Sequence, residues 1–224
     1  VLPEMFNTGF VVEPEKVDAN AAAVSLEWMK QNAQKHDSVI CGSMIVLEEG
    51  HYYNRFYWIE PSGRIQNYDK RHLFSLGNEH LRFTAGQEPI IIEYKGWKIK
   101  PLVCYDLRFP VWAKNTFNQG NYEYDLLIYV ANWPAARNHA WKSLLVARAL
   151  ENQAYVVGVN RIGADAYGTK HSGFSRVIEP KGELISEEVE NIESSQTITL
   201  SAFDLNTYRE KFTVGLDWDE FSIK

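Results

Sequence analysis

The run Trp97-Lys98-Ile99-Lys100-Pro101-Leu102-Val103-Cys104-Tyr105-Asp106-Leu107-Arg108-Phe109-Pro110 decides how this chain is read. Its first seven residues read as a short strand, despite Pro101. The apolar character then stops, and a thiol is followed by a Tyr-Asp-Leu-Arg turn that core packing would not select. A thiol at the end of a strand, beside a cation and at the start of a new element, is placed as a nucleophile. Backbone N–H groups at such a turn can receive an oxyanion. The competing reading of Cys104 is a small buried hydrophobe, the usual state of a free cysteine. The other cysteine, Cys41, lies in a β-branched and apolar stretch and reads as core.

Working outward, strand and helix patterns alternate. Glu15 to Lys35 reads as a helix with Val17, Ala21, Val24 and Trp28 along one face. Ser38 to Leu47 and the aromatic-rich His51 to Ile59 read as strands joined by a Glu49-Gly50 hairpin turn. Arg64 to Tyr68 reads as a third strand. Phe74 to Gln87 is irregular. Ile90 to Tyr94 is a strand turning at Lys95-Gly96 into the decisive run. Val111 to Gly120 reads as a helix and Tyr124 to Ala131 as a buried strand stopped by Asn132-Trp133-Pro134. Helix Trp141 to Gln153 and strand Tyr155 to Asn160 follow. The end reads as β-rich, with strands at Phe174 to Ile178, Glu183 to Ser186 and Thr197 to Phe203. Glu187 to Glu190 reads as a solvated acidic turn. Alternating strands and helices followed by hairpins give an α/β class, and 224 residues suit a single domain, residues 1–224.

Composition excludes several functions. A formal net charge of −6 without a basic run argues against nucleic acid. No apolar stretch is long enough to span a membrane. Two cysteines do not make a disulfide framework, and one reactive thiol suits a reducing compartment, the cytoplasm. The six histidines show no zinc-ligand spacing, so no metal is expected. Neither a phosphate-binding glycine loop nor a G-x-S-x-G elbow is present. A papain-like pair of Cys104 with His139 or His171 would leave Glu4 and Lys70 without a role.

Two other stretches give Cys104 its chemistry. Val1-Leu2-Pro3-Glu4-Met5-Phe6 reads as a strand ending on an acid, and Tyr68-Asp69-Lys70-Arg71-His72-Leu73-Phe74 carries a lysine just past a strand. Glu4, Lys70 and Cys104, in that order, resemble the Glu-Lys-Cys triad of the nitrilase superfamily, the carbon–nitrogen hydrolases. The resemblance covers nearly the whole chain, including Trp141 to Val157, Ser172-Gly173-Phe174-Ser175 and Tyr208 to Phe212. It implies a four-layer α-β-β-α sandwich, here lacking the first strand and helix of the family. That absence would leave the sheet edge beside Glu4 exposed. The resemblance also implies a homodimer or higher homo-oligomer formed through a helical face, and no cofactor.

In the chemistry the resemblance implies, Glu4 takes the thiol proton, since a free cysteine with pKa about 8.5 is mostly protonated at neutral pH. Lys70 and the backbone N–H of Tyr105 hold the oxyanion, and a thioester forms on Cys104. Glu79, in Gly77-Asn78-Glu79-His80, matches a second glutamate that many relatives place near the lysine; the alternative is a surface loop acid. Arg108 is the specificity candidate. Four residues from the nucleophile, its guanidinium could bind a substrate carboxylate, or pair structurally with Asp106 or a glutamate elsewhere. Asn132 and Trp133 end the strand after the nucleophile's own and are expected at the pocket mouth.

The run Cys-Tyr-Asp-Leu-Arg-Phe resembles the omega-amidase branch. That implies hydrolysis of the terminal amide of a small 2-oxo dicarboxylic acid monoamide such as 2-oxoglutaramate. An amidase for deaminated glutathione shares the triad, and nitrile or N-carbamoyl hydrolysis uses it too. A catalytically silent binding module is the alternative from another class; an intact triad argues against it.

Overall fold

A computed structural model describes residues 1–223. In chain order the elements are α1 (Ala21–Lys35), β1 (Ile40–Glu48), β2 (His51–Ile59), β3 (Ile65–Asp69), β4 (Ile92–Tyr94), β5 (Trp97–Val103), α2 (Pro110–Ala113), β6 (Phe117–Asn118), β7 (Asn121–Tyr122), β8 (Leu126–Ala131), α3 (Asn138–Asn152), β9 (Tyr155–Asn160), β10 (Ile162–Ala164), β11 (Lys170–Ser172), β12 (Arg176–Ile178) and α4 (Ala202–Lys211). Strands β1-β2-β3 form an antiparallel sheet, and β12-β9-β8-β5-β4 form a mixed sheet whose central pairs, β5 with β8 and β8 with β9, are parallel.

The two sheets share one core. Phe56, Trp58 and Tyr68 of the first pack in the same cluster as Leu102, Val103, Leu127 and Tyr129 of the second. Helix α1 covers the outer face of the first sheet through Met29 and Ala33, against Met44 and Ile59. Helix α3 covers the outer face of the second through Trp141, Leu145 and Ala149. The result is the α-β-β-α layering the resemblance implies.

Pro101 sits inside β5 without breaking it because β4 pairs only with Trp97 to Ile99. Pro101 therefore lies beyond the end of its neighbour on that side, where its missing N–H interrupts no ladder. The β1–β2 turn has positive φ at both Glu49 and Gly50, which matches the twist of the flanking strands.

Five expectations fail. Val24 and Trp28 are 67% and 46% exposed; α1 buries the Met29 and Ala33 face instead. Val111 to Gly120 is a helix only to Ala113. Asn115 then takes over, its Oδ1 accepting from Tyr124 N–H and its Nδ2 donating to Tyr124 and Asn152 carbonyls. Such side-chain bonds compete with helix continuation, and a Gln119-Gly120 turn closes the β6–β7 hairpin. Glu183 to Ser186 keeps only an isolated bridge from Leu184 to Ile178, and residues 197–203 form no strand but lead into α4. Residues 1–3 form no strand either. Leu2 N–H bonds to the Cys41 carbonyl and Met5 N–H to Ser43 Oγ, which lays the segment beside β1. Gly42 permits this approach, since a Cβ there would stand 2.8 Å from the Leu2 Cβ. Among the described residues no helix is long and apolar enough to cross a membrane.

Candidate active site

The parallel strands β5, β8 and β9 release the chain at their carboxyl ends, where open α/β sheets hold their sites. Cys104 follows β5, Asn132 follows β8, and Asn160 ends β9. Cys104 has φ +45°, a conformation that side chains rarely adopt. It opens a single 3-10 turn, Cys104–Arg108, held by Asp106. The buried Asp106 carboxylate accepts from Val103 N–H (3.0 Å), Tyr68 OH (2.8 Å) and His72 N–H (3.0 Å), with His72 Nδ1 at 2.8 Å. Asp106, weighed from the sequence as a partner for Arg108, is instead the clamp that bends the chain at the thiol.

Lys70 comes from the facing sheet, one residue past β3. Its N–H bonds to the Asn54 carbonyl, and its own carbonyl accepts from Gly86 N–H. Gly86 is obligatory here, because a Cβ would lie 2.1 Å from the Asp69 carbonyl oxygen. The Lys70 ammonium is buried and reaches Glu4 Oε1 at 2.9 Å and the two Glu79 oxygens at 3.0 and 2.8 Å. Glu4 and Glu79 are buried as well. Asn54 Nδ2 bridges them, at 2.8 Å from Glu4 and 3.2 Å from Glu79. Phe74 N–H takes the second Glu79 oxygen at 2.6 Å, and Asn132 N–H the second Glu4 oxygen at 2.8 Å. Asn132 Nδ2 also holds the Glu4 carbonyl. Met5 and Asn78, the neighbours of the two glutamates, both have positive φ. Each acid thus sits beside an uncommon backbone turn, as the thiol does.

Burial alone would lower the Lys70 pKa, but the charges of Glu4, Glu79 and Cys104 outweigh it and hold the ammonium above its ordinary range. The Cys104 thiol is pushed well up, first by burial, then by the charge of Glu4, with Lys70 opposing; a hydrogen bond to Glu4 adds to the rise. The resting thiol is therefore protonated at neutral pH, and the carboxyl group hydrogen-bonded to it is that of Glu4.

All eight candidate residues fall in this region. Lys70, Cys104, Tyr105, Arg108, Asn132 and Trp133 line one cavity of about 370 Å3, and Glu4 and Glu79 stand behind Lys70. Glu79 is no surface acid. Arg108 makes no ion pair with Asp106, whose oxygens are spent elsewhere; its guanidinium lies over the Trp133 ring at 5.1 Å. Asn132 and Trp133 are buried and line the cavity. Of the histidines weighed against Glu4, His171 also lines the cavity, yet Glu4, Lys70 and the Asn132 N–H are what act on the Cys104 thiol. Sequence reading missed Asn54, hidden in the middle of a strand pattern, and Arg137, in the turn before α3, which shares the cavity.

A two-sheet α/β sandwich with a thiol at a strand–turn junction, facing a buried Glu–Lys–Glu network, defines a class of hydrolase. Comparison with known proteins gives the same class. The sequence model described as Carbon-nitrogen hydrolase matches residues 1–211. The chain is 47% identical over 229 residues to Omega-amidase YafV of Escherichia coli (strain K12), covering 100% of this chain and 85% of that relative. It is 37% identical over 191 residues to the 2-oxoglutaramate amidase of Bacillus subtilis (strain 168), covering 84% of this chain and 72% of that one. A crystal structure of a CN-hydrolase superfamily protein from Xanthomonas campestris, with an arsenic adduct in its active site, superposes with a TM-score of 0.94 at 43% identity, covering 100% and 85%. The chain belongs to the carbon–nitrogen hydrolase family.

Proposed function

We propose that this enzyme hydrolyses the terminal amide of a small 2-oxo dicarboxylic acid monoamide, 2-oxoglutaramate being the type substrate, to the 2-oxo diacid and ammonia. The observation that carries this reading is Arg108, in the same cavity as Cys104 and, among the described residues, without a carboxylate partner. The volume lies near the lower end of the range for small-molecule sites, which suits a five-carbon acid. The names of the Escherichia coli and Bacillus subtilis relatives support the same substrate class.

In this reaction the Cys104 thiol passes its proton to Glu4 as sulfur attacks the amide carbon. Lys70 and the Tyr105 N–H stabilise the resulting oxyanion. The first amides of a helical turn have no partner within it, which leaves Tyr105 N–H for this use. Lys70 has three protons, and Glu79 takes contacts through both oxygens while also bonding Asn54 and Phe74. One of those lysine contacts can pass to the substrate oxygen without stranding the glutamate. The carbon–nitrogen bond then breaks, Glu4 returns the proton to the leaving nitrogen, and ammonia departs from a Cys104 thioester. Water, deprotonated by Glu4, attacks the thioester, and the thiol leaves with that proton.

Ammonia release from 2-oxoglutaramate, beside deaminated glutathione and a plain aliphatic amide, tests the proposal, with Cys104→Ala as control. Preference for 2-oxoglutaramate, abolished in the variant, is expected. Turnover of deaminated glutathione alone would move the specificity to the longer substrate. A folded, inert enzyme on all three would remove the reading.

A further inference from the structure

Arg137 takes no part in the chemistry above, yet its surroundings are organised. It ends the 3-10 turn Ala135–Arg137 that leads into α3, and it is half-buried at the cavity wall. Its guanidinium lies over the Phe74 ring at 5.2 Å. Phe74 packs edge-on against Tyr105, the neighbour of the nucleophile, with ring centres 5.1 Å apart. Trp133 connects the second cation to the first. Its indole N–H donates to the Arg137 carbonyl at 2.9 Å, while its ring lies under Arg108. One buried tryptophan therefore seats both arginines on a single cavity.

Among the described residues, neither guanidinium forms an ion pair. The acids nearby make their recorded bonds to other groups. Glu4 and Glu79 bind Lys70. Asp165, which also lines the cavity, accepts from the N–H groups of Tyr167 and Thr169 and pairs with no cation. Two like charges around one small cavity repel each other, and aromatic faces offset little of that. The arrangement is favourable once an anion enters.

We propose that Arg137 is a second specificity residue, which with Arg108 binds the anionic 2-oxo acid end of the substrate. This rests on the substrate class proposed above. A 2-oxo acid presents two carboxylate oxygens and a ketone oxygen side by side. One guanidinium fork saturates two acceptors; the third calls for another donor. Arg137 supplies it, and its seat on Phe74 beside Tyr105 sets how far that end lies from Cys104.

The test compares wild type, Arg137→Lys and Arg137→Gln on 2-oxoglutaramate and on butyramide, a neutral amide without the acid. Melting temperatures confirm folding. Arg137→Gln is expected to raise KM for 2-oxoglutaramate roughly tenfold or more, with kcat changed far less and a clearly smaller loss on butyramide. Arg137→Lys should recover part of the loss. Equal losses on both amides, or none on either, would overturn the proposal, since a purely structural role through Phe74 has no reason to distinguish them. Inhibition of butyramide hydrolysis by 2-oxoglutarate separates this inference from the reaction assignment. Should 2-oxoglutaramate not be turned over, a Ki for 2-oxoglutarate that rises at least about tenfold in Arg137→Gln would still uphold the anion site. An unchanged Ki, or no inhibition of wild type, would remove it.

Discussion

The interior of the site and its outer wall are built on opposite principles. Inside, Glu4, Lys70, Glu79 and Asn54 are buried, and both carboxylates and the ammonium are bonded through every heavy atom that carries charge. At the wall, Arg108 and Arg137 lean on aromatic rings and, among the described residues, form no ion pair. A saturated network keeps catalytic groups in place but offers little to a ligand. Unsaturated cations recognise an anion but position nothing until it arrives. Rate and selectivity are thus assigned to different side chains, and variants in the two regions should separate them.

The sharpest test of the interior is Glu4→Gln. Removing the base should lower kcat by about 10^2- to 10^4-fold. It should also do something a merely disruptive change would not. Glu4 charge raises the Cys104 pKa, so its loss moves the thiol titration to lower pH. Iodoacetamide labelling followed against pH should therefore begin at lower pH in the variant, while hydrolysis is lost. Labelling that starts at the same pH in both would detach Glu4 from the thiol.

Glu79→Leu strips acceptors from Lys70, Asn54 and Phe74 N–H together. Breaking a buried pair by removing one partner costs about 3–5 kcal/mol. In a domain of this size that corresponds to a fall in melting temperature on the order of 10 °C, read by calorimetry. A variant melting with wild type would show the network to be less sealed than its geometry. Gly86→Ala sets a methyl against the Asp69 carbonyl and must shift either Lys70 or the loop. A loss of roughly 2 kcal/mol in urea unfolding is expected, with a lowered kcat because Lys70 moves.

The wall should respond differently. Arg108→Lys keeps the charge but loses the planar fork, so KM for the carboxylated amide should rise about tenfold with kcat nearly intact. A fall in kcat without a change in KM would place Arg108 with the interior and erase the division.

Much of this was legible before folding. The strand running into Cys104 was visible because apolar residues end abruptly at a thiol and a polar turn, and the order Glu4, Lys70, Cys104 carried the family resemblance. Asn54 was not legible, since one amide within an aromatic strand looks like alternation. Neither was α4. Its inward face is Leu205 and Arg209, and Arg209 is anchored by Asp125 and by the carbonyls of Tyr124 and Gln153. A helix docked by an arginine shows no apolar period, so its approach read as strand. The face assigned to α1 failed for a related reason: more than one stripe of an alanine-rich helix satisfies the spacing, and only the sheet beneath selects Met29 and Ala33.

By itself the sequence determined the α/β class, the family and the residue types able to carry the chemistry, because strand–turn boundaries and the order of reactive groups are local or linear properties. Tertiary structure decided the rest. Glu4 and Lys70 are 66 positions apart, and Glu4 and Asn132 are 128 apart. Only the facing of two sheets brings them within hydrogen-bonding distance. Burial then determines what those groups become: a thiol held protonated, an ammonium held charged, and two arginines left open on a wall.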